Sequence, residues 1–206
     1  MRSRSKPTLM PVQLEPSTHI YTVGGGAVDS VSELLREAGF ISVSHYTLAG
    51  RDRGSRVHAA TEAVDRGEVP LPLPVAEQGY LESYLRWRTF VAPMWEHIES
   101  PRYSATERFA GTPDRIGTMG IPPGPVVVDL KTGAPQAWHR LQLALYDLLY
   151  ASEDVPPMTR RRVCVYLRSD GRCAQSVTFH DRRDYSIIRQ LLDARVAAPR
   201  EGPDAG

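Results

Sequence analysis

Three valines at 126–128 run without a break into Asp129, Leu130 and Lys131. An unbroken apolar run of this kind belongs to a central strand buried on both faces. A charged D-L-K at the end of such a strand is costly unless the charges are used. Upstream, the only break between residues 114 and 131 is GIPPG at 120–124, a turn by composition. A hairpin centred on residue 122 sets position 114 opposite position 130, to within one residue. Asp114 then lies within about 5–8 Å of Asp129 by ordinary cross-strand spacing. Lys131, two residues past Asp129, projects from the same face of the sheet.

Two carboxylates at that separation repel unless one takes a proton or a cation sits between them. Mg²⁺ resolves the conflict, because it favours oxygen ligands and keeps several waters. A neighbouring lysine can orient or deprotonate a water, or stabilise developing charge. The constellation suits metal-assisted hydrolysis, with phosphodiesters as the natural substrate. The plain alternative is a surface hairpin with an incidental Asp–Lys ion pair, since a bare D-x-K is common. Composition weighs against it. The chain has 25 lysines and arginines, yet only Lys6 and Lys131 are lysine. Lysine is a compact charge whose pKa can shift, so a switch from arginine at this position has a use.

At 206 residues, with 41% hydrophobic and 24% charged content, the rest reads as an ordinary globular chain. No apolar run approaches the length that spans a membrane, and the basic N-terminus lacks the apolar segment of a secretory signal. Residues 1–18 and 198–206 read as flexible ends. Cys164 and Cys173 flank a hairpin turning at Asp170-Gly171, which sets Cys164 near Val177 and Cys173 near Arg168. The thiols are not opposite each other, so no disulfide is expected, in keeping with a reducing cytoplasmic location. They are too few for a four-thiolate zinc site or an iron–sulfur cluster. A net charge of +1 excludes no partner. Arginines cluster at 51–56, 159–162 and 181–184, each readable as solvated surface or as a phosphate contact.

Residues 19–23 read as a strand, followed by a glycine turn. Ser30 and Glu33 have capping-box spacing at the start of a helix over 30–39. A second helix spans 53–67, with His58 and Glu62 one turn apart. Residues 80–98 read as one long amphipathic helix with a break point at Pro93. Strands follow at 102–110, 114–119 and 125–131, then a helix over 135–153, a hairpin over 163–179 and a helix over 184–197. The order predicts an α/β (α+β) fold, a central mixed β-sheet flanked by helices.

These residues resemble the PD-(D/E)XK nuclease superfamily. Its P-D…(D/E)-x-K pattern is matched by Pro113-Asp114 and Asp129-Leu130-Lys131. R-G-x-x-V-H, from Arg53 and Gly54 to His58, is similar to the histidine-bearing helix of the RecB-like branch. Q-x-x-x-Y, from Gln142 to Tyr146, follows on a helix. The resemblance covers about residues 30–180. It extends to stand-alone phage and prophage exonucleases, and more distantly to the RecB nuclease domain and the mitochondrial genome maintenance exonuclease.

The resemblance implies a restriction-endonuclease-like core in a single nuclease domain over 19–197. It implies Mg²⁺ or Mn²⁺ held by Asp114, Asp129, the backbone carbonyl of Leu130 and His58, whose imidazole favours Mn²⁺ somewhat. Lys131 would position and activate the attacking water. Gln142 and Tyr146 would contact DNA or brace the site. Glu62 and Glu107 would point toward the same region, and Arg53 opens the histidine motif. The implied activity is that of a deoxyribonuclease acting as an exonuclease, leaving 5′-phosphate ends, in phage or bacterial DNA recombination, repair or degradation. The alternatives are a structure- or sequence-selective endonuclease, a non-catalytic DNA-binding protein of the same fold, and a hydrolase of another ester. Trp87, Trp95 and Trp138 read either as base-stacking platforms or as core. With no P-loop and few cysteines, strand loading would come from homo-oligomerisation or from a recombination or replication partner protein.

Overall fold

The computed structural model describes residues 11–15, 18, 20–42, 47–120, 122–152 and 155–197. Within them lie five helices and two five-stranded sheets, each of mixed direction. One sheet was expected from sequence; the second arises because β3 (Gly26–Ser30) pairs in parallel with β6 (Phe109–Gly111), a strand about eighty residues away that no local pattern announces.

The central sheet runs β10-β9-β8-β7-β4. Here β4 is Met94–Ile98, β7 Arg115–Met119, β8 Gly124–Lys131, β9 Arg161–Tyr166 and β10 Gln175–Phe179. The valine run sits in β8, the middle strand, antiparallel to β7 and parallel to β9. It is buried because helices cover both faces. Val127 packs with Leu35 of α1 (Val31–Glu37), Leu145 of α4 (His139–Leu149) and Ile188 of α5 (Arg183–Ala197). Val126, Val128 and Leu130 face the other way, onto Val57 of α2 (Leu48–Asp65) and Tyr84 and Trp87 of α3 (Val75–Val91). The alternation follows the strand period of two, and α4 provides the crossover that a parallel β8–β9 pair requires.

The second sheet runs β1-β2-β3-β6-β5, with β1 Val12–Glu15, β2 Ile20–Val23, β3 Gly26–Ser30, β5 Arg102–Ser104 and β6 Phe109–Gly111. Gly24 and Gly25 take φ of 59° and 82°, so the glycine run is a hairpin turn rather than a direct lead into a helix. The capping box of α1 is formed: Ser30 Oγ accepts the Glu33 N–H, and Glu33 accepts the Ser30 N–H. It contributes about 1 kcal/mol. Part of the segment read as flexible is ordered, since β1 pairs with β2. Residues 1–10 and 198–206, with His19 and Glu153 at the edges of two expected elements, lie outside the described residues.

Residues 80–98 are not one helix. Helix α3 stops at Val91, Ala92 adopts a left-handed φ of 42°, and after Pro93 the chain becomes β4. Proline disfavours helix at the residue before it and cannot donate to the turn behind it. The segment then pairs with β7 through a bulge between Trp95 and His97. Helix α4 begins at His139 rather than at 135. The β9–β10 register places Cys164 opposite Val177, and both cysteines are free.

Candidate active site

Asp114 stands where the chain crosses from one sheet to the other, between β6 and β7. The crossing is fastened on both sides. Tyr21 Oη and Thr112 Oγ1 share a hydrogen bond of 2.8 Å, and the Asp114 carbonyl accepts the Glu99 N–H at 3.0 Å. Arg115 pairs with Val128 across the hairpin, so Asp114 falls beside Asp129, within the one-residue margin read from sequence. Gly111 lets this segment approach α4, because a Cβ there would lie 2.9 Å from the Tyr146 ring.

The two Asp114 oxygens have different partners. Oδ1 lies 3.3 Å from His58 Nδ1, and Oδ2 accepts the Leu130 N–H at 2.5 Å. Glu99 Oε1 lies 3.6 Å from the same His58 nitrogen. One ligand-type atom each from His58, Glu99 and Asp114 falls within 4.8 Å of the others. Beyond Leu130, Asp129 is 2% exposed, with Oδ2 at 2.7 Å from Lys131 Nζ. That contact is an ion pair whose angles do not make a hydrogen bond, so a buried carboxylate oxygen lacks an aligned donor. An imidazole and three carboxylates, one of them with such an oxygen, suit a hard or borderline divalent cation.

The electrostatics point the same way. Burial opposes charge on His58, but Asp114 and Glu99 outweigh it and hold the imidazole's pKa well above its usual value. The two carboxylates thus favour the charged form of His58, and a divalent ion bound there would displace its proton. Burial also works against ionisation of Asp114, yet His58, Lys131 and the Leu130 amide keep its carboxyl below the usual range. Burial pushes Asp129 up to about 6; Lys131 pulls it down and Asp114 adds to the push. Glu99 is raised by burial and by Asp114, against His58 and Arg115. Burial disfavours the Lys131 ammonium, but Asp129 and Asp114 raise its pKa well above normal. Lys131 is thus a fixed cation and proton donor here, suited to orienting a water and stabilising charge.

Glu99 was missed in the sequence because residues 80–98 read as helix. The available signal was Pro93: with the helix stopped there, the segment ends on an acidic residue that a strand can deliver to Asp114. Glu62 pairs with Arg66 at 2.7 Å, one turn further along α2. Glu107 is drawn away to α5, where Arg189 holds it at 2.5 Å. Arg53 lies over the Tyr80 ring of α3, 5.5 Å from its centroid. Gln142 and Tyr146 are both buried in α4, joined by a 3.2 Å hydrogen bond, and Gln142 Oε1 has no partner. Burial first, then Asp129, push the Tyr146 phenol well up. Trp87 is core, Trp95 stacks on it, and Trp138 lies 5.4 Å from Lys131 Nζ. The 159–162 arginine cluster is engaged internally: Arg160 with Asp147, Arg161 with the Met119 carbonyl, Arg162 with Asp184.

His139 supports the loop after Lys131. Its Nδ1 lies 3.3 Å from the Gln136 N–H and 2.9 Å from Tyr166 Oη. A backbone N–H can only donate, so Nδ1 accepts and the ring proton is on Nε2. Burial and then nearby Lys131 depress its pKa to about 3. The fold favours neutral His139, so its contribution is complete above the unfolded pKa of about 6.5 and is lost as pH falls from there toward 3. Thermal melting between pH 7 and pH 4.5 is expected to show a loss of stability that His139→Gln makes shallower. Parallel curves for the two proteins would discard this role.

A family model described as the PD-(D/E)XK nuclease superfamily matches residues 33–203. The chain belongs to that superfamily. Its mixed α+β architecture agrees with the restriction-endonuclease-like fold of PD-(D/E)XK proteins. PD-(D/E)XK nucleases generally use divalent metals, and His58, Glu99 and Asp114 form the cluster able to hold one. No curated protein matches the chain. A solved structure, "Crystal structure of SSO0001", is 16% identical, with a TM-score of 0.35 over 83% of this chain and 85% of that one. No helix among the described residues is long and apolar enough to cross a membrane.

Proposed function

We propose that this PD-(D/E)XK protein is a Mg²⁺- or Mn²⁺-dependent deoxyribonuclease of the RecB-like, phage-exonuclease branch. It hydrolyses DNA from ends and leaves 5′-phosphates, in recombination, repair or degradation of phage or bacterial DNA. The observation that carries this reading is the division of Asp114, with one oxygen toward His58 and the other at the amide between Asp129 and Lys131. His58, Glu99, Asp114, Asp129 and the Leu130 carbonyl would hold the divalent ion, which would supply Lewis acidity and lower the pKa of water. Lys131, fixed by Asp129, orients the attacking water and stabilises the charge that builds on the phosphate. The water oxygen attacks phosphorus and releases its proton to solvent. The P–O3′ bond breaks and the 3′ oxygen takes up a proton. Gln142 and Tyr146, joined to each other on α4, contact DNA or brace the site. Strand loading falls to a second copy or a partner protein, in the cytoplasm of a bacterial or phage-infected cell.

The test is digestion of end-labelled linear DNA and of closed circular DNA with Mg²⁺, Mn²⁺ or EDTA. Linear DNA is expected to be degraded with either metal, the circle to survive, and EDTA or Asp114→Asn to stop the reaction. A cut circle would instead make the protein an endonuclease. Cleavage in EDTA, or no action on any DNA, would remove the reading.

A further inference from the structure

Arg115 follows Asp114 and therefore points to the opposite face of the sheet, into the core beneath α2 and α3. It is fully buried, with 0% exposure. Nε donates to Asp65 Oδ2 at 2.5 Å and Nη2 to Thr61 Oγ1 at 3.2 Å. Nη1 donates both to the Asp114 carbonyl at 2.7 Å and to Glu99 Oε1 at 3.1 Å. The anchor is itself held: the buried Asp65 carboxylate also accepts from Tyr84 Oη at 2.5 Å and Arg88 Nε at 2.7 Å. Turning Arg115 would strand a buried charge, which is strongly unfavourable. Glu99 has no such anchorage. It closes β4 at a left-handed φ of 44°, and among the described residues its carboxylate meets two cationic side chains, His58 and Arg115.

We propose that Arg115 is the positioning residue of the metal site. It holds the Glu99 carboxylate where it can join His58 and Asp114, and Asp65 locks Arg115 in turn. The proposal rests on the metal-site reading given above. Burial rules out Arg115 as a phosphate contact, so its effect on catalysis passes through the groups it holds, the Glu99 carboxylate and the Asp114 backbone. Two influences of opposite sign act on a metal here. A fixed positive charge beside a ligand oxygen weakens cation binding, and a fixed ligand orientation strengthens it. Arg115→Lys keeps the charge and removes the fork of donors, so it isolates orientation.

The experiment is Mn²⁺ titration without DNA, read by the electron paramagnetic resonance of the free ion, on wild type, Asp114→Asn, Glu99→Gln, Arg115→Lys and the Glu99→Gln/Arg115→Lys double variant. Arg115→Lys is expected to bind Mn²⁺ about 10-fold more weakly or worse, the usual effect of losing a residue that orients a ligand. The double variant is expected to be no weaker than Glu99→Gln alone, because one interaction is removed twice. Thermal melting in EDTA reports folding separately. If Arg115→Lys does not fold, Asp65→Asn, which leaves Arg115 in place but unlocked, is expected to weaken Mn²⁺ binding several-fold. Unchanged Mn²⁺ affinity in the folded variant overturns the positioning role and leaves the metal site standing. Absence of Mn²⁺ binding in wild type, or wild-type affinity in Asp114→Asn, overturns both.

Discussion

Lys131→Ala is expected to slow metal-dependent DNA cleavage by about 10²–10⁴-fold, the range for loss of a group that handles the attacking water. The half-buried Lys131 ammonium lies beside Asp129, at 2.7 Å, with the Trp138 ring centroid 5.4 Å from its Nζ. Removing it takes away the charge that orients water and also the pull that keeps Asp129 near 6 rather than higher. The variant's carboxyl therefore takes a proton at higher pH, and its Mn²⁺ affinity is expected to fall more steeply below neutrality than that of wild type. Lys131→Arg is not expected to restore the rate, because the planar guanidinium cannot take the place of a compact ammonium. Initial rates on end-labelled linear DNA at saturating Mn²⁺ check both variants. A rate for Lys131→Ala within threefold of wild type would end the assignment.

A large effect on stability is expected from Gly117→Ala. An added Cβ would lie 2.1 Å from the Met94 carbonyl oxygen and 2.9 Å from Trp95 Cα. Both are backbone, so no rotamer change relieves the clash and β4 must part from β7. Overpacking typically costs about 1–3 kcal/mol, and this case belongs at or above the top of that range. For a chain of this size, about 3 kcal/mol lowers Tm by about 6–12 °C. Because Glu99 closes β4, Mn²⁺ affinity is expected to fall along with stability. Gly124→Ala is the control, since nothing lies within 4 Å of a Cβ there. Equal melting temperatures for the two variants would show that β4 does not pack on Gly117 in this way.

The site was partly legible before folding, for identifiable reasons. Asp114, Asp129 and Lys131 could be read because one short turn and a period-two strand place them together, and His58 because a helical motif resembles a known one. Glu99 could not be read. Its placement depends on Pro93 converting the end of an apparent helix into a strand, and on that strand choosing β7 rather than another edge. Glu107 illustrates the opposite error. Its expected strand position suggested that it faces the site, but it lies in the turn between β5 and β6 and Arg189 from the last helix pairs with its carboxylate.

Sequence alone determined the β7–β8 hairpin and, to within one residue, its register, together with the burial of β8, the capping box of α1 and the separation of the two cysteines. Each of these is encoded within a few residues, by turn chemistry, side-chain period or a single local hydrogen bond. Only the tertiary structure decided that β3 joins β6 in a second sheet, that Glu99 meets His58 and Asp114, and that Arg115 is sealed between Asp65 and Glu99. Those outcomes rest on contacts between residues tens of positions apart. Strand order and helix packing bring them together, and no local stretch of the chain specifies either.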